Sequence, residues 1–170
     1  MDGGQGVSER FRVMSQASSR RLHIVLFEPE IAANTGAIGR TCVAVGASLW
    51  LIRPLGFHLN DKHLRRAGLD YWGHLDLHIT NSLDEVAAAL GPDRLWFFST
   101  KARTLYTDAT FAIGDALVFG PESRGLPESL LASHPQRALR IPVRPEARSL
   151  NLANAVSIAA YEGIRQVGTS

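Results

Sequence analysis

The chain has 170 residues, 45% of them hydrophobic and 20% charged, with a formal net charge of +2. That length is one ordinary domain, able to bury roughly 70% of the surface its unfolded chain exposes without disulfide or metal staples. The balance excludes a disordered chain, and the longest apolar runs, such as Leu49 to Ile52 and Leu95 to Phe98, fall far short of the ~20 residues a membrane span needs.

A single cysteine, Cys42, can form no internal disulfide and stands in no pair with metal spacing. The stretch Met1 to Arg21 is mostly small and polar and lacks the apolar core of a signal peptide. Both features point to the cytoplasm. Of the 18 basic residues only Lys62 and Lys101 are lysines. Arginine is the better fork for phosphate, but genomic base composition also biases this ratio, so charge alone is a weak nucleic-acid signal.

Residues 1–20 read as a flexible tail, with Met14 as an alternative start, and residues 21–170 as a single domain. From Arg21 on, strand and helix patterns alternate. Leu22 to Phe27 is the first strand. Asn34 is positioned to cap a helix over Thr35 to Val45, which Gly46 ends. Strands follow at Ser48 to Arg53 and Leu75 to Ile79. Ser82 and Glu85 form a capping box, and Gly91-Pro92 stops that helix. Arg94 to Ser99, Ala116 to Phe119 and Ala138 to Ile141 are the remaining strands. Continuous apolar runs of this length predict an α/β fold, a parallel sheet covered on both faces. The last helix runs from about Asn151 to Gln166, with Leu152, Ala155, Val156, Ala159, Gly163 and Ile164 on one face.

Three segments are odd for pure structure. In Asn34-Thr-Gly-Ala-Ile-Gly-Arg40, two glycines lie three apart inside a helix, where each costs about 1 kcal/mol relative to alanine. Close packing or a ligand must offset that. In Phe119-Gly-Pro-Glu-Ser-Arg-Gly-Leu-Pro127, Gly120 suits a ligand near the backbone, where any Cβ would crowd it. Glu122, Ser123 and Arg124 begin a short turn or helix whose free N–H groups could accept an anion. An ordinary strand-to-helix loop would read the same way. In Ile141 to Asn154, two prolines lead into the last helix, which Ser149 or Asn151 can cap. Asn154 lies one turn inside, where a polar residue on an apolar helix suggests a tertiary hydrogen bond.

Other chemistries are poorly supported. The six histidines show no zinc-like pairing, although His74 and His78 are four apart, and Ser149 lacks a nucleophile elbow. Asn34-x-Gly36-x-x-Gly39 nearly matches a dinucleotide fingerprint. Its first glycine is missing, though, and Arg53 stands where the acid should be.

Taken in order, these segments resemble the SPOUT superfamily of RNA 2′-O-ribose methyltransferases. Within it they are most similar to the TrmL (YibK) group of the TrmH-like family, which modifies the wobble ribose of certain transfer RNAs. The resemblance runs from Leu22 to Gly168. It rests on Glu28-Pro-Glu-Ile, Asn34-Thr-Gly, Asp61-Lys62, Leu64-Arg-Arg-Ala-Gly-Leu-Asp-Tyr71, Gly120-Pro-Glu, Arg124-Gly-Leu-Pro127, Arg148-Ser149, Asn151-Leu and Asn154-Ala-Val-Ser157. It departs from the family pattern at Ala32-Ala33, where two prolines are common, and at Ala37, where asparagine is.

The resemblance implies a SPOUT-type sheet with a deep C-terminal trefoil knot, and a homodimer packed through the first and last helices. It implies S-adenosylmethionine as cofactor, no metal, and the anticodon loop of tRNA as partner, with methyl transfer to the 2′-oxygen of nucleotide 34. Carried over, Phe98, Gly120, Glu122, Ile141, Ser149 and Asn154 contact the cofactor, and Arg40 and Tyr161 are the catalytic positions. Lys62, Arg65, Arg66, Arg124, Arg144 and Arg148 form the RNA surface. Two alternatives stay open: a SPOUT enzyme acting on another tRNA or rRNA position, and a non-catalytic RNA-binding or assembly module of the same fold.

Overall fold

The computed structural model of the chain describes residues 20–60, 62, 64 and 71–169. The expected tail before Arg20, Arg65, Arg66 and most of the Leu64 to Tyr71 motif lie outside the described residues.

Among those residues the strands are β1 (Leu22–Phe27), β2 (Ser48–Ile52), β3 (Leu77–Thr80), β4 (Leu95–Phe98), β5 (Thr104–Leu105), β6 (Asp115–Phe119) and β7 (Ala138–Arg140). They form one sheet in the order β3-β2-β1-β6-β4-β7-β5. Every pairing is parallel, with Val25 aligned to Trp50 on one side and to Val118 on the other. The central strands are buried almost along their length because helices cover both faces, as their largely apolar runs required.

One face carries α1 (Ala32–Val45) and α4 (Leu152–Val167). There Ile24, Leu26, Leu49, Leu51, Leu117 and Phe119 share a core with Ile38, Cys42, Val156, Ala159 and Ile164. The other face carries α2 (Leu83–Leu90) and α3 (Glu128–Ser133), where Val25, Trp50, Phe97 and Val118 meet Val86, Leu130 and Leu131. The short β5 and α3 carry no periodic signal of their own and were not expected from the sequence.

The helix starts show where local rules gave way to tertiary ones. Ser82 Oγ caps α2 by accepting the Glu85 N–H at 3.3 Å, as the capping box predicts. Glu85, however, returns to the N–H of Asn81, one residue earlier than the motif specifies. Asn151 Oδ1 caps α4 through the Asn154 N–H at 3.3 Å. The expectation for Asn34 fails. The N-cap of α1 is Ile31, which offers no capping side chain, and Asn34 already lies in the first turn. Its amide is drawn off by partners from other loops.

The glycines packed on helices are explained by close approach. A Cβ at Gly39 of α1 would sit 3.3 Å from both Trp72 Cζ3 and Leu75 Cδ2, so the 72–74 turn lies directly on the helix. A Cβ at Gly163 of α4 would come within 2.9 Å of Leu22 Cδ2, which brings α4 down onto β1. Gly46 ends α1 at φ 71° and donates its N–H to the last turn, the role the sequence assigned it. α1 and α4 are also tied to each other: Thr41 Oγ1 lies 3.0 Å from Ser157 Oγ, which donates to the Ala153 carbonyl at 2.9 Å.

Candidate active site at the carboxyl ends of the strands

Open parallel sheets bind ligands outside the carboxyl ends of their strands. Here β4, β6 and β7 end in loops that enclose a cleft of about 530 Å³. Phe98 to Lys101 follow β4, Gly120 to Leu126 follow β6, and Ile141, Val143 and Ser149 to Asn151 follow β7. Ile31 and Asn34 close the side toward α1, and Leu152 and Ala155 form the floor on α4. Phe98 and Phe119 stack with centroids 4.7 Å apart at the strand ends.

The β6 loop is held by an exchange of carboxylates with the loop after β1. Glu30 accepts the Ser123 N–H at 2.9 Å and the Ser123 hydroxyl at 2.6 Å. Glu122 reaches the other way and accepts the N–H of Glu30 at 2.8 Å and of Ile31 at 3.2 Å. This carboxylate sits at the N-terminus of α1, where the helix dipole favours negative charge, and binds the N–H groups of the two residues that precede the helix, not those of its first turn. Asn34 donates to Glu122 at 3.3 Å and accepts from Asn151 Nδ2 at 3.0 Å. It therefore bridges the cleft wall to the start of α4. The Ser123 hydrogen bonds are the first cause holding the Glu30 carboxyl below its usual range, with Arg124 contributing less.

Of the N–H groups in the turn at Glu122 to Arg124, that of Ser123 is thus taken by the Glu30 carboxylate. The reason for glycine at 120 differs from expectation. Its Cβ would lie 2.3 Å from Gly125 C and Leu126 N, so the loop's own returning backbone excludes a side chain. At the far wall, Arg148 takes φ 59° and ψ −56°, and the Ser149 N–H closes a γ-turn onto the Ala147 carbonyl at 2.6 Å. That geometry is strained for a non-glycine residue.

The sequence profile of the SpoU rRNA methylase family matches residues 21–161. The chain is 48% identical over 148 residues to a tRNA (cytidine(34)-2′-O)-methyltransferase of Aeromonas hydrophila, covering 86% of this chain and 95% of that one. It is 47% identical over 150 residues to the protein of the same name from Escherichia coli K12, covering 86% and 94%. A solved structure described as giving insight into 2′-OH methylation of C/U34 on tRNA superposes with a TM-score of 0.81 at 50% identity, over 86% of this chain and 96% of that one.

The chain belongs to the SpoU methylase family. Its seven-stranded parallel α/β fold is that of the SPOUT methyltransferases.

Within this SpoU fold, five residues nominated from sequence for cofactor contact line one cleft: Phe98, Gly120, Glu122, Ile141 and Ser149. Asn154 does not. Its side chain is exposed and makes no hydrogen bond among the described residues, against the tertiary bond expected from sequence. Asn151, the N-cap residue that precedes α4, lines the cleft instead. Arg40 is exposed on α1, outside the cleft lining, with its guanidinium 4.9 Å from the centre of the Tyr71 ring. Tyr161 is 57% exposed on α4, near the exposed Ile158.

Of the basic residues nominated for RNA, Lys62, Arg144 and Arg148 are exposed. Arg144 has only a loose contact with Glu146 at 3.7 Å. Arg124 is engaged differently: it pairs with Glu28 and lies 3.6 Å from Glu30. Among the described residues no group of three His, Cys, Asp or Glu is placed to hold a metal ion, and no helix is long and apolar enough to cross a membrane. Sequence reasoning missed Glu30, Asn34 as a bridge, and Asn151 as a cleft residue. Glu30 and Asn151 were quoted as parts of motifs, but nothing in one sequence shows that the two loops meet.

Proposed function

We propose that this chain is a tRNA (cytidine(34)-2′-O)-methyltransferase. It transfers a methyl group from S-adenosylmethionine to the ribose of the wobble nucleotide, with cytidine or a modified uridine as the base. The observation that carries this is near-full-length identity of 47–50% to proteins of that name and subject, together with a complete three-loop cleft at the carboxyl ends of β4, β6 and β7.

The residues present fit the cofactor. A cleft of about 530 Å³ is the size of a small-molecule site. Phe98, Ile141, Leu150 and Leu152 offer apolar walls for a flat base, while Ser149 and the loop backbone offer polar edges. Phe98, Gly120, Glu122, Ile141 and Ser149 would hold it. Bound S-adenosylmethionine supplies a methyl group already activated on a sulfonium.

The protein's own task is then alignment and charge stabilisation, which needs no metal. A guanidinium has five donors and no acceptor, so Arg40 is no simple general base. It binds a backbone phosphate beside the target nucleotide and stabilises the alkoxide charge that develops as the 2′-hydroxyl gives its proton to solvent water and its oxygen bonds the methyl carbon, the S–C bond breaking to leave S-adenosylhomocysteine. Tyr161 lines the substrate side near the subunit interface. Lys62, Arg124, Arg144 and Arg148, with Arg65 and Arg66, present the phosphate-binding surface for the anticodon loop.

With this function go a deep trefoil knot, a homodimer packed through α1 and α4, a single methyltransferase domain over residues 21–170 behind an N-terminal tail, and a cytoplasmic location. The superposition on a relative of 50% identity, with a TM-score of 0.81, supports the knotted path that the family resemblance implies. The exposed Ile158 and Tyr161 on α4 support the dimer face.

The test uses isotopically labelled S-adenosylmethionine and tRNA from a strain lacking this modification, followed by digestion and mass spectrometry. A labelled 2′-O-methyl nucleotide at position 34 is the expected product. Label at another position would keep the chemistry and overturn the site. No label and no cofactor binding would leave an RNA-binding module.

A further inference from the structure

We infer that Tyr71 is a positioning residue for Arg40: its ring is a platform that fixes the guanidinium plane while leaving the N–H groups free for an anion. The inference rests on the reading of Arg40 given above.

The Arg40 guanidinium carbon lies 4.9 Å from the centroid of the half-buried Tyr71 ring, within cation–π range. No carboxylate pairs with Arg40 among the described residues; it takes part in none of the salt bridges or side-chain hydrogen bonds there. This sets it apart from Arg124, Arg144 and Arg165, each beside a glutamate. The difference matters chemically. A carboxylate would hold the arginine but occupy its donors and cancel its charge. An aromatic face attracts the cation through the ring quadrupole and takes none of the in-plane N–H groups.

The platform is built into the fold. Tyr71 immediately precedes the 72–74 turn, and its carbonyl accepts the His74 N–H at 2.9 Å. That turn lies against α1 beside Gly39, where a Cβ would stand 3.3 Å from the side-chain tips of Trp72 and Leu75 and would ask them to give by a few tenths of an ångström. Gly39 and Arg40 are adjacent, so the turn that packs beside the one carries the ring that lies beneath the other. A guanidinium already immobilised loses less freedom on meeting a phosphate or a developing alkoxide, and its pairing strengthens as RNA excludes water.

The test is a steady-state comparison of Tyr71→Leu, Tyr71→Phe and Arg40→Ala, with cofactor affinity by calorimetry alongside. Tyr71→Leu is expected to lower kcat by roughly 5- to 30-fold, with cofactor affinity and Tm near those of the parent. Tyr71→Phe keeps the ring and should restore kcat to within about twofold. Tyr71→Leu turning over at the parent rate would overturn the inference, as would equal losses in Leu and Phe variants, which would assign the effect to the hydroxyl. Parent-like turnover by Arg40→Ala would instead remove the reading of Arg40 beneath it. A measurement independent of variant folding is available in the unaltered protein. The Arg40 δ-methylene protons should be shifted upfield by the ring current; unshifted resonances would overturn the stack.

Discussion

Glu122 accepts the backbone N–H of Glu30 at 2.8 Å, while the next residue, Ser123, donates twice to the Glu30 side chain. The two loops thus hold each other, and one of them is a wall of the proposed cofactor cleft. Glu122→Ala removes the acceptor at the start of α1 and frees Asn34 as well. It should cost about 1–2 kcal/mol, read as a fall in Tm of roughly 3–6 °C, and should weaken cofactor binding. Thermal denaturation with and without S-adenosylmethionine measures both; an unchanged Tm would show that the clasp is not structural.

Gly120 and Gly125 separate two reasons for glycine in the same loop. Gly120→Ala places a Cβ 2.3 Å from backbone atoms that cannot swing aside, and should cost roughly 3 kcal/mol or more. Gly125 sits at φ 69° in open space, so Gly125→Ala should cost only about 1 kcal/mol. Chemical denaturation of the two variants checks the order.

His23 and Ser48 are aligned on β1 and β2, their side chains in direct contact, and Trp50 Nε1 donates to Ser48 Oγ at 3.0 Å. Burial first, then nearby His78, lowers the His23 pKa to about 4. The unfolded chain takes up this proton near pH 6.5 and the folded chain only near 4, so stability is full above pH 6.5 and is lost as pH falls between these values. The loss at pH 5 should be about 2 kcal/mol. Below that window Glu30 and Glu162, both held low by hydrogen bonds, add a further loss as they protonate. Urea unfolding at pH 7.5 and 5 measures the first step; a His23→Asn variant with the same pH slope would assign it elsewhere.

Arg144 and Arg124 should respond differently to salt. Arg144 is exposed and weakly paired, so Arg144→Ala should lower the slope of log affinity for tRNA against log salt by about 0.7–0.9. Arg124 is already paired with Glu28 and close to Glu30, so Arg124→Ala should change the slope less and Tm more. Filter binding over a salt series, with melting curves, tests the pair.

Cys42 is buried in the core between α1 and the sheet, and burial pushes its thiol pKa up. It should resist alkylation in the folded protein and react only on unfolding, since thiolate is the nucleophile. Mass spectrometry after iodoacetamide, with and without urea, decides this.

Most of the sheet could be read from the chain. The run from Leu22 to Phe27 is both a sequence pattern and an observed strand, because a strand buried on both faces is apolar wherever its polar groups find no partner, and its one polar residue, His23, has Ser48. The α2 cap and the Gly46 stop were legible for a similar reason: both depend on atoms within a few residues. The motif positions Phe98, Gly120, Glu122, Ile141 and Ser149 were legible through family resemblance, and folding gathers them into one cleft. Local chemistry could not foresee that Glu122 would bind the chain just before α1, that Gly120 faces its own loop, or that Arg40 rests on Tyr71. In each case the partner is far away in sequence or arrives from another loop. Side-chain periodicity records which face is buried, but only the packed chain decides which polar groups meet there.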